Sequence, residues 1–114
     1  MTCAALAAAF ILGAISPMAR HDFKIDYDRN VFLMDGEVLQ IRCGEMHFAR
    51  VPREYWRERL KMCKAMGLNT VCAYLFWNFH EPKRGEFEFS GDADVAEFCR
   101  LAAEEGLWAK LRPE

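Results

Sequence analysis

The run Thr70-Val-Cys-Ala-Tyr-Leu-Phe76, followed by Trp-Asn-Phe-His-Glu-Pro82, decides how this sequence is interpreted. The first seven residues are apolar at nearly every position, which is typical of a strand covered on both faces, as in parallel sheets. Polar and aromatic side chains then crowd into the six residues that end at the proline. Because parallel α/β proteins place their chemistry at the carboxyl ends of strands, the run predicts a buried strand that leads into a functional loop.

Strand and helix patterns alternate on both sides of this run. Strands are predicted at residues 39–43 and 107–111, and helices at about 53–66 and 92–105. The resulting βαβαβ order, with a repeat of roughly 35 to 40 residues, suits a (β/α)8 barrel. A doubly wound sheet also accepts this order. However, no glycine-rich phosphate loop follows the first strand, which disfavours a nucleotide-binding protein.

Both predicted helices carry an apolar stripe at helical spacing. The stripe residues are Trp56, Leu60, Cys63 and Met66 in the first helix, and Val95, Phe98, Cys99 and Ala102 in the second. Pro52 suits the first helical position, where the missing N–H is no loss. Asp92 is predicted as the N-cap of the second helix. Gly67 and Gly106 are predicted to close the helices in a left-handed conformation.

Short alternating segments flank the parallel pattern. Residues 23–27 and 31–34 enclose the turn sequence Asp28-Arg-Asn30, and Asp35-Gly36 resembles a second turn. These segments predict a short β-hairpin ahead of the first parallel strand. The Glu-Phe-Glu-Phe sequence at 86–89 alternates as an edge strand does, and predicts one there.

The composition narrows the class of protein. The 114 residues allow one domain or part of one, and 53% hydrophobic content excludes a disordered chain. The net charge of −2 comes from mixed charges without a basic patch, so nucleic acid is not an expected partner. Five cysteines without a CxxC pair fit neither a disulfide framework nor a zinc knuckle. Small buried apolar roles are predicted for Cys43, Cys63, Cys72 and Cys99.

Residues 4–15 form an apolar run that has the length of a signal-peptide core and is too short to span a bilayer. Two interpretations of residues 1–19 stay open. A cleaved signal peptide predicts a periplasmic or secreted protein with no membrane association after its removal. An apolar leader of no consequence predicts a cytoplasmic protein.

Three motifs carry a family resemblance. They are Gly44-Glu-Met-His-Phe-Ala-Arg-Val-Pro52 followed by Tyr-Trp56, the segment Leu60-Lys-Met-Cys-Lys-Ala-Met-Gly-Leu-Asn-Thr-Val71, and Tyr74-Leu-Phe-Trp-Asn-Phe-His-Glu-Pro82. In this order they resemble the opening of the catalytic barrel in glycoside hydrolase family 35, the β-galactosidases. The resemblance extends over about residues 23–113.

The resemblance implies a fold and a reaction. The fold class is α/β, with the first three β/α units of an incomplete (β/α)8 TIM barrel after a short β-hairpin. Residues 20–114 are then the N-terminal part of the catalytic barrel. The implied reaction is retaining removal of terminal β-galactosyl residues from a β-galactoside carbohydrate, without a cofactor, by two glutamates that end strands four and seven. No catalytic residue is therefore expected in this chain, which also departs from the family pattern at Glu114.

The resemblance also assigns residues of the site. Tyr74 matches the tyrosine that contacts the galactose ring in the family, and the alternative is a tyrosine packed between strand and helix. Trp77, Glu81, Arg50 and His47 are further candidates for lining the pocket or fixing the mouth of the barrel. For Trp77, packing against the next loop is the alternative. A metal site is not expected, because the histidines match no metal-binding spacing.

Two glutamates near predicted strand ends, Glu45 and Glu81, form a tempting catalytic pair. The resemblance argues against this pair, and we expect both glutamates to anchor loops. We expect the 114-residue chain alone to be inactive and to fold poorly or self-associate. The rival hypothesis is a non-catalytic remnant that acts, if at all, in sugar binding or as an interaction module.

Overall fold

A computed structural model describes residues 20–113. The chain divides between Leu39 and Gln40 into two compact units. The apolar run at 4–15 and the two interpretations of residues 1–19 lie outside the described residues. Within residues 20–113, no helix combines the length and apolar character that a membrane crossing requires.

The first unit is a three-stranded antiparallel sheet. Its strands are β1 (Phe23–Asp26), β2 (Val31–Met34) and β3 (Glu37–Leu39), which lie side by side in chain order. The predicted hairpin is present as β1 and β2, and the turn at Asp35 and Gly36 adds a third strand that the sequence did not predict. Both turn residues have positive φ, 53° and 85°, and this sharp reversal lets three residues pair back on β2.

The second unit contains a parallel sheet of three strands. They are β4 (Cys43–Glu45), β5 (Thr70–Leu75) and β6 (Trp108–Pro113), with β5 in the centre. Helix α1 (Trp56–Ala65) connects β4 to β5. The short α2 (Trp77–His80) and then α3 (Val95–Glu104) connect β5 to β6.

The helices cover one face of this parallel sheet. Val71 and Ala73 of β5 are fully buried in one cluster with Leu60 of α1 and Phe98 of α3. Because side chains alternate along a strand, Cys72 and Tyr74 project to the opposite face. Paired residues of parallel strands share a face, so Glu45 and Arg112 belong to that face too. The sequence alternation thus separates an apolar core from a polar face.

Asn69 fixes the start of each parallel strand. Its side-chain oxygen accepts a hydrogen bond from the backbone N–H of Arg42 at 2.8 Å, and its amide donates to the carbonyl of Gln40 at 2.7 Å. Its own backbone carbonyl accepts from Trp108 N–H at 2.9 Å. One residue ahead of β5 therefore holds the chain entering β4 and the first residue of β6.

Salt bridges join α1 to α3 at the surface. Arg57 pairs with Glu104 and with Glu105, the latter at 2.6 Å. Arg100 pairs along α3 with Glu104 and with Glu97, the latter at 2.6 Å. The charged residues that fall outside the apolar stripes of the two helices thus meet one another.

Several predicted boundaries are wrong by a few residues. The first parallel strand is Cys43–Glu45 and not residues 39–43, so Cys43 is exposed and not buried as predicted. Met66 is also exposed, because α1 ends at Ala65 and the chain turns at Gly67, where φ is 86°. Cys72 is buried as predicted, and the other two cysteines of the second unit are half-buried.

Two further predictions fail in the connection between β5 and β6. Residues 86–89 form no strand, and their one β-bridge joins Lys83 to Glu86. Their alternation reflects exposed phenylalanines without a neighbouring strand. The N-cap of α3 is Asp94, whose side chain accepts a hydrogen bond from Glu97 N–H at 2.9 Å. Asp92 instead accepts one from the backbone N–H of Arg53 at 3.1 Å.

Candidate functional site

Three polar residues meet where the parallel strands end. Glu45 is the last residue of β4, and Tyr74 and Arg112 are the penultimate residues of β5 and β6. Tyr74 is paired with Arg112 in the sheet register, and Glu45 is paired with Cys72, two residues before Tyr74. The carboxyl ends of parallel strands lie at one edge of a sheet, so the three side chains come together on the face away from the helices.

Tyr74 lies between the other two residues. Its hydroxyl donates to Glu45 Oε1 at 3.1 Å and accepts from Arg112 Nη1 at 2.8 Å. The guanidinium carbon of Arg112 also lies 4.8 Å from the centre of the Tyr74 ring, within the range of a cation–π contact. The tyrosine is therefore held at its hydroxyl and over its ring.

An aromatic group extends this arrangement toward the loop after β4. The His47 ring lies 4.9 Å from the Tyr74 ring and 5.4 Å from that of Phe76, measured between ring centres. Tyr74 and Phe76 are nearly parallel, with centres 6.0 Å apart. The structure thus brings His47, a predicted site residue, next to Tyr74. We call Glu45, His47, Tyr74, Phe76 and Arg112 the Tyr74 cluster.

Arg50 borders an open depression beside the Tyr74 cluster. Its guanidinium carbon lies 5.7 Å from the centre of the Phe76 ring. The depression has a volume of about 330 Å³ and is lined by Ala49, Arg50, Phe76, Asn78 and Phe79. Phe76 contributes to both features, so Arg50 is one aromatic ring away from Tyr74.

Trp77 and Glu81 line a different cavity, of about 150 Å³. Its other lining residues are Leu75, His80, Phe87, Phe89 and Pro113. Trp77 is 65% exposed there. Glu81 Oε1 accepts a hydrogen bond from the backbone N–H of Gly85 at 2.6 Å, which closes the loop after α2. The two tempting glutamates therefore have different local partners, Tyr74 for Glu45 and a loop N–H for Glu81.

His80 is buried beneath this second cavity. Its Nδ1 lies 3.1 Å from the carbonyl oxygen of Glu88, and since a carbonyl only accepts, Nδ1 carries the proton. The ring stacks on Phe89 with 5.0 Å between centres. Its Nε2 has no hydrogen-bond partner among residues 20–113. We interpret His80 as a structural link that holds the loop after α2.

Sequence reasoning did not assign Arg112 or Phe76 to the site. Arg112 lies outside the three motifs that carry the resemblance, and its contact with Tyr74 depends on the pairing of β5 with β6. Alternation from Tyr74 does identify Phe76 and Cys72 as residues of the same face. Arg112 can be assigned to the site only when the pairing of β5 with β6 is known, and the local sequence does not show that pairing.

Cys43 lies on the same face of the parallel sheet as Glu45. Although Cys43 is largely exposed, partial desolvation and the neighbouring Cys72 raise the pKa of its thiol above the ordinary value of 9.0, while nearby Lys110 works in the opposite direction. Cys43 is therefore a neutral thiol at neutral pH. In the part of the chain that the structure describes, no group of three or more His, Cys, Asp or Glu residues is arranged to hold a metal ion.

Comparison with known proteins places these features in a family. The family model of glycosyl hydrolases family 35 matches residues 31–114. Mouse beta-galactosidase is 47% identical over 106 residues, which cover 90% of this chain and 16% of the relative. Human beta-galactosidase is 50% identical over 91 residues, covering 80% and 13%, respectively. Human beta-galactosidase-1-like protein 3 is 54% identical over 82 residues, covering 72% and 13%.

Each of these relatives is much longer than this chain. The chain spans about one seventh of the length of these curated relatives. The matched region includes the whole parallel unit and with it the Tyr74 cluster. The protein belongs to glycosyl hydrolases family 35.

Proposed function

We propose that residues 20–114 form the opening part of the catalytic domain of a retaining β-galactosidase-type glycosidase. In this proposal β4, β5 and β6 are the first three strands of a (β/α)8 barrel, and the first, antiparallel unit precedes the barrel. Membership of the family supports this assignment. So does the gathering of Glu45, Tyr74 and Arg112 at the carboxyl ends of three parallel strands, which is where such barrels carry their active sites.

The proposed substrate is a carbohydrate with a terminal β-galactosyl residue. Tyr74 is the residue of this chain that we assign to the sugar. A phenol can exchange hydrogen bonds with a sugar hydroxyl, and its ring provides an apolar wall for the sugar. The position of Tyr74 at a strand end, with its hydroxyl among polar groups and its ring against His47, suits both roles.

The bond-breaking groups in this proposal are two glutamates that follow strands four and seven. One donates a proton to the glycosidic oxygen while the other attacks the anomeric carbon, which requires carboxyl groups about 5 to 5.5 Å apart. Water then releases the sugar from the second glutamate. Residues of this chain bind and orient the galactosyl ring, and the 114 residues alone have no hydrolytic activity.

The contacts of Glu45 and Glu81 support anchoring roles for both. Glu45 accepts a hydrogen bond from the Tyr74 hydroxyl, and Glu81 accepts one from a loop N–H. They border different features of the structure, since Glu81 lines the cavity beside Trp77 while Glu45 belongs to the Tyr74 cluster. A retaining pair must instead face the same glycosidic bond from its two sides.

The experiment has two parts. The coding DNA on both sides of these 114 codons is sequenced, and the complete gene product is expressed and assayed for nitrophenol release from a nitrophenyl β-galactoside. We expect hydrolysis by the complete product and none by the 114-residue chain. A complete product that binds galactose without hydrolysing it would support the non-catalytic remnant instead.

The same assay tests Tyr74. Tyr74→Phe keeps the ring and removes the hydroxyl, and one neutral hydrogen bond contributes about 0.5 to 1.5 kcal/mol, so kcat/KM should fall about 2- to 12-fold. Tyr55→Phe, at an exposed tyrosine beside α1, is the matched control. If Tyr74→Phe keeps full kcat/KM and lowers the melting temperature, Tyr74 is a packing residue and its assignment to the sugar is wrong.

A further inference from the structure

Among residues 20–113, the hydroxyl of Tyr74 contacts a carboxylate and a guanidinium, each with a fixed hydrogen-bonding sense. A carboxylate only accepts, so the phenol proton points to Glu45 Oε1, 3.1 Å away. A guanidinium only donates, so the phenol oxygen accepts from Arg112 Nη1, 2.8 Å away. The two contacts together set the direction of the O–H bond.

The ring of Tyr74 is held as firmly as its hydroxyl. The Arg112 guanidinium lies 4.8 Å from the ring centre, and the His47 ring lies 4.9 Å from it. Tyr74 is half-buried, and both Glu45 and Arg112 are exposed. Each partner comes from a different strand, so the contacts also join the ends of β4, β5 and β6.

We propose that Glu45 and Arg112 are positioning residues that hold the Tyr74 hydroxyl in the orientation that meets the sugar. This inference rests on the proposed function, because it takes Tyr74 as the substrate contact. Preorganised groups bind better, since side-chain freedom is lost before the ligand arrives and not during binding. A carboxylate and a guanidinium on the two sides of the phenol supply this preorganisation before any sugar is bound.

A glutamate that positions Tyr74 and a glutamate that contacts the sugar directly respond differently to the loss of the Tyr74 hydroxyl. If Glu45 acts through Tyr74, its effect depends on the Tyr74 hydroxyl. In a Tyr74→Phe background the phenol proton is absent, and Glu45 has nothing to orient. A glutamate that contacts the sugar itself keeps its full effect in that background. A double-mutant cycle between the two positions therefore distinguishes positioning from contact.

The cycle uses the complete gene product, with Glu45→Gln, Glu45→Leu, Tyr74→Phe and the double variant Glu45→Leu/Tyr74→Phe. We expect Glu45→Leu alone to lower kcat/KM about three- to tenfold, chiefly through KM, and to weaken galactose binding by a similar factor. Glu45→Gln keeps an acceptor oxygen and should recover most of the loss. In the Tyr74→Phe background, Glu45→Leu should change kcat/KM by less than about twofold.

Arg112 is tested by Arg112→Lys and Arg112→Met. Lysine keeps the charge and a donor but cannot stack as a planar fork, so it should recover only part of what methionine loses. Matched controls are Glu58→Gln on the exposed side of α1 and the exposed Arg84→Lys, which should leave kcat/KM unchanged. Melting temperature is measured for every variant, so that a loss of fold is not taken for a loss of positioning.

The outcomes distinguish the two proposals. A reduced kcat/KM in Tyr74→Phe with additive effects of Glu45→Leu overturns the positioning role and leaves the function intact. If Tyr74→Phe keeps full kcat/KM, the Tyr74 hydroxyl does not contact the substrate, and the positioning role of Glu45 and Arg112 is wrong as well. A complete product that neither hydrolyses a galactoside nor binds galactose overturns the proposed function itself.

Discussion

Trp56 donates its indole N–H to the backbone carbonyl of Val51, with 2.8 Å between the two atoms. The carbonyl of Phe48 is a second acceptor at 3.2 Å. Trp56 is fully buried, and its ring contacts the rings of Phe48 and Phe98 edge-on. The first residue of α1 thus holds the loop between β4 and α1, the loop that carries His47, against the core.

Replacing Trp56 with phenylalanine tests this link. The change removes the donor, leaves a carbonyl without its partner and opens part of the core, so the free energy of unfolding should fall by about 2–4 kcal/mol. Urea denaturation of the complete gene product measures it. Trp77→Phe is the control, since Trp77 is 65% exposed and its loss should change stability little. Equal effects of the two changes would contradict the role given to Trp56.

Gly44 lies against the end of the Leu68 side chain. A Cβ atom there would lie 2.6 Å from Cδ1 of Leu68. Gly44→Ala should therefore force Leu68 to move and reduce the free energy of unfolding by about 1–3 kcal/mol. Leu68→Val removes the reach of the offending methyl group, so the double variant should be more stable than Gly44→Ala. A double variant that shows the two losses simply added would disprove the clash.

The charge pairs within α3 and between α1 and α3 predict a pH dependence. Hydrogen bonds from Arg100 and Arg57 lower the pKa values of Glu97 and Glu104, respectively, below their ordinary value of 4.5. A lowered pKa in the folded state contributes stability above pH 4.5, and this contribution disappears as the pH falls through the folded value. Melting temperature should fall as the pH drops below about 4.5, and less steeply in high salt.

Arg57→Met isolates this effect from other carboxylates. The variant lacks the partner of Glu104 and Glu105, so its melting temperature should lie below that of the parent at pH 7. The two should converge as the pH falls through the lowered pKa of Glu104, because the protonated carboxyl no longer pairs with Arg57. Arg84→Met, at an exposed arginine, should follow the parent at all pH values. A gap between parent and Arg57→Met that stays constant with pH would rule out the charge pair as its source.

Glu81 offers a direct test of anchoring against catalysis. Glu81→Gln keeps an oxygen that can accept from Gly85 N–H, so kcat should stay within about threefold of the parent with the same pH profile. General acid–base groups contribute about 10²- to 10⁴-fold to rate, so the two roles differ clearly. Glu81→Ala should lower the melting temperature, because the loop N–H loses its partner. A loss of a hundredfold or more in Glu81→Gln would make Glu81 a catalytic residue.

The sequence predicts the strands and helices that have one buried face or are buried on both faces, because their apolar residues follow a regular pattern. The strand β5 was predicted to within one residue, since every position from Thr70 to Leu75 is apolar or weakly polar and no competing pattern exists. The strand β4 was displaced, because its Gly44 and Glu45 look like loop residues. They form a strand only because β5 lies alongside, and that neighbour is far away in sequence.

The site shows the same division. Tyr74 was identified through the family resemblance, and the alternation of β5 gives its face. The partnership of Tyr74 with Glu45 and Arg112 depends on how three strands are aligned, and no local pattern encodes that alignment. The alternating phenylalanines at 87 and 89 show the opposite error, since period-two spacing alone does not supply a strand partner.

The hydrogen bonds of Asn69 set the register of β4 and β6 against β5 at the amino-terminal end of the sheet. A shift of β4 by one residue against β5 would turn Glu45 away from Tyr74 and bring Gly44 onto the polar face, because side chains alternate strictly along a strand. Five residues separate Asn69 from Tyr74, a distance of about 17 Å along the strand. The Asn69 amide thus sets, from one end of β5, the register that brings Glu45 next to Tyr74 at the other end. A substitution at position 69 would therefore disturb the contact between Glu45 and Tyr74, although Asn69 touches neither side chain.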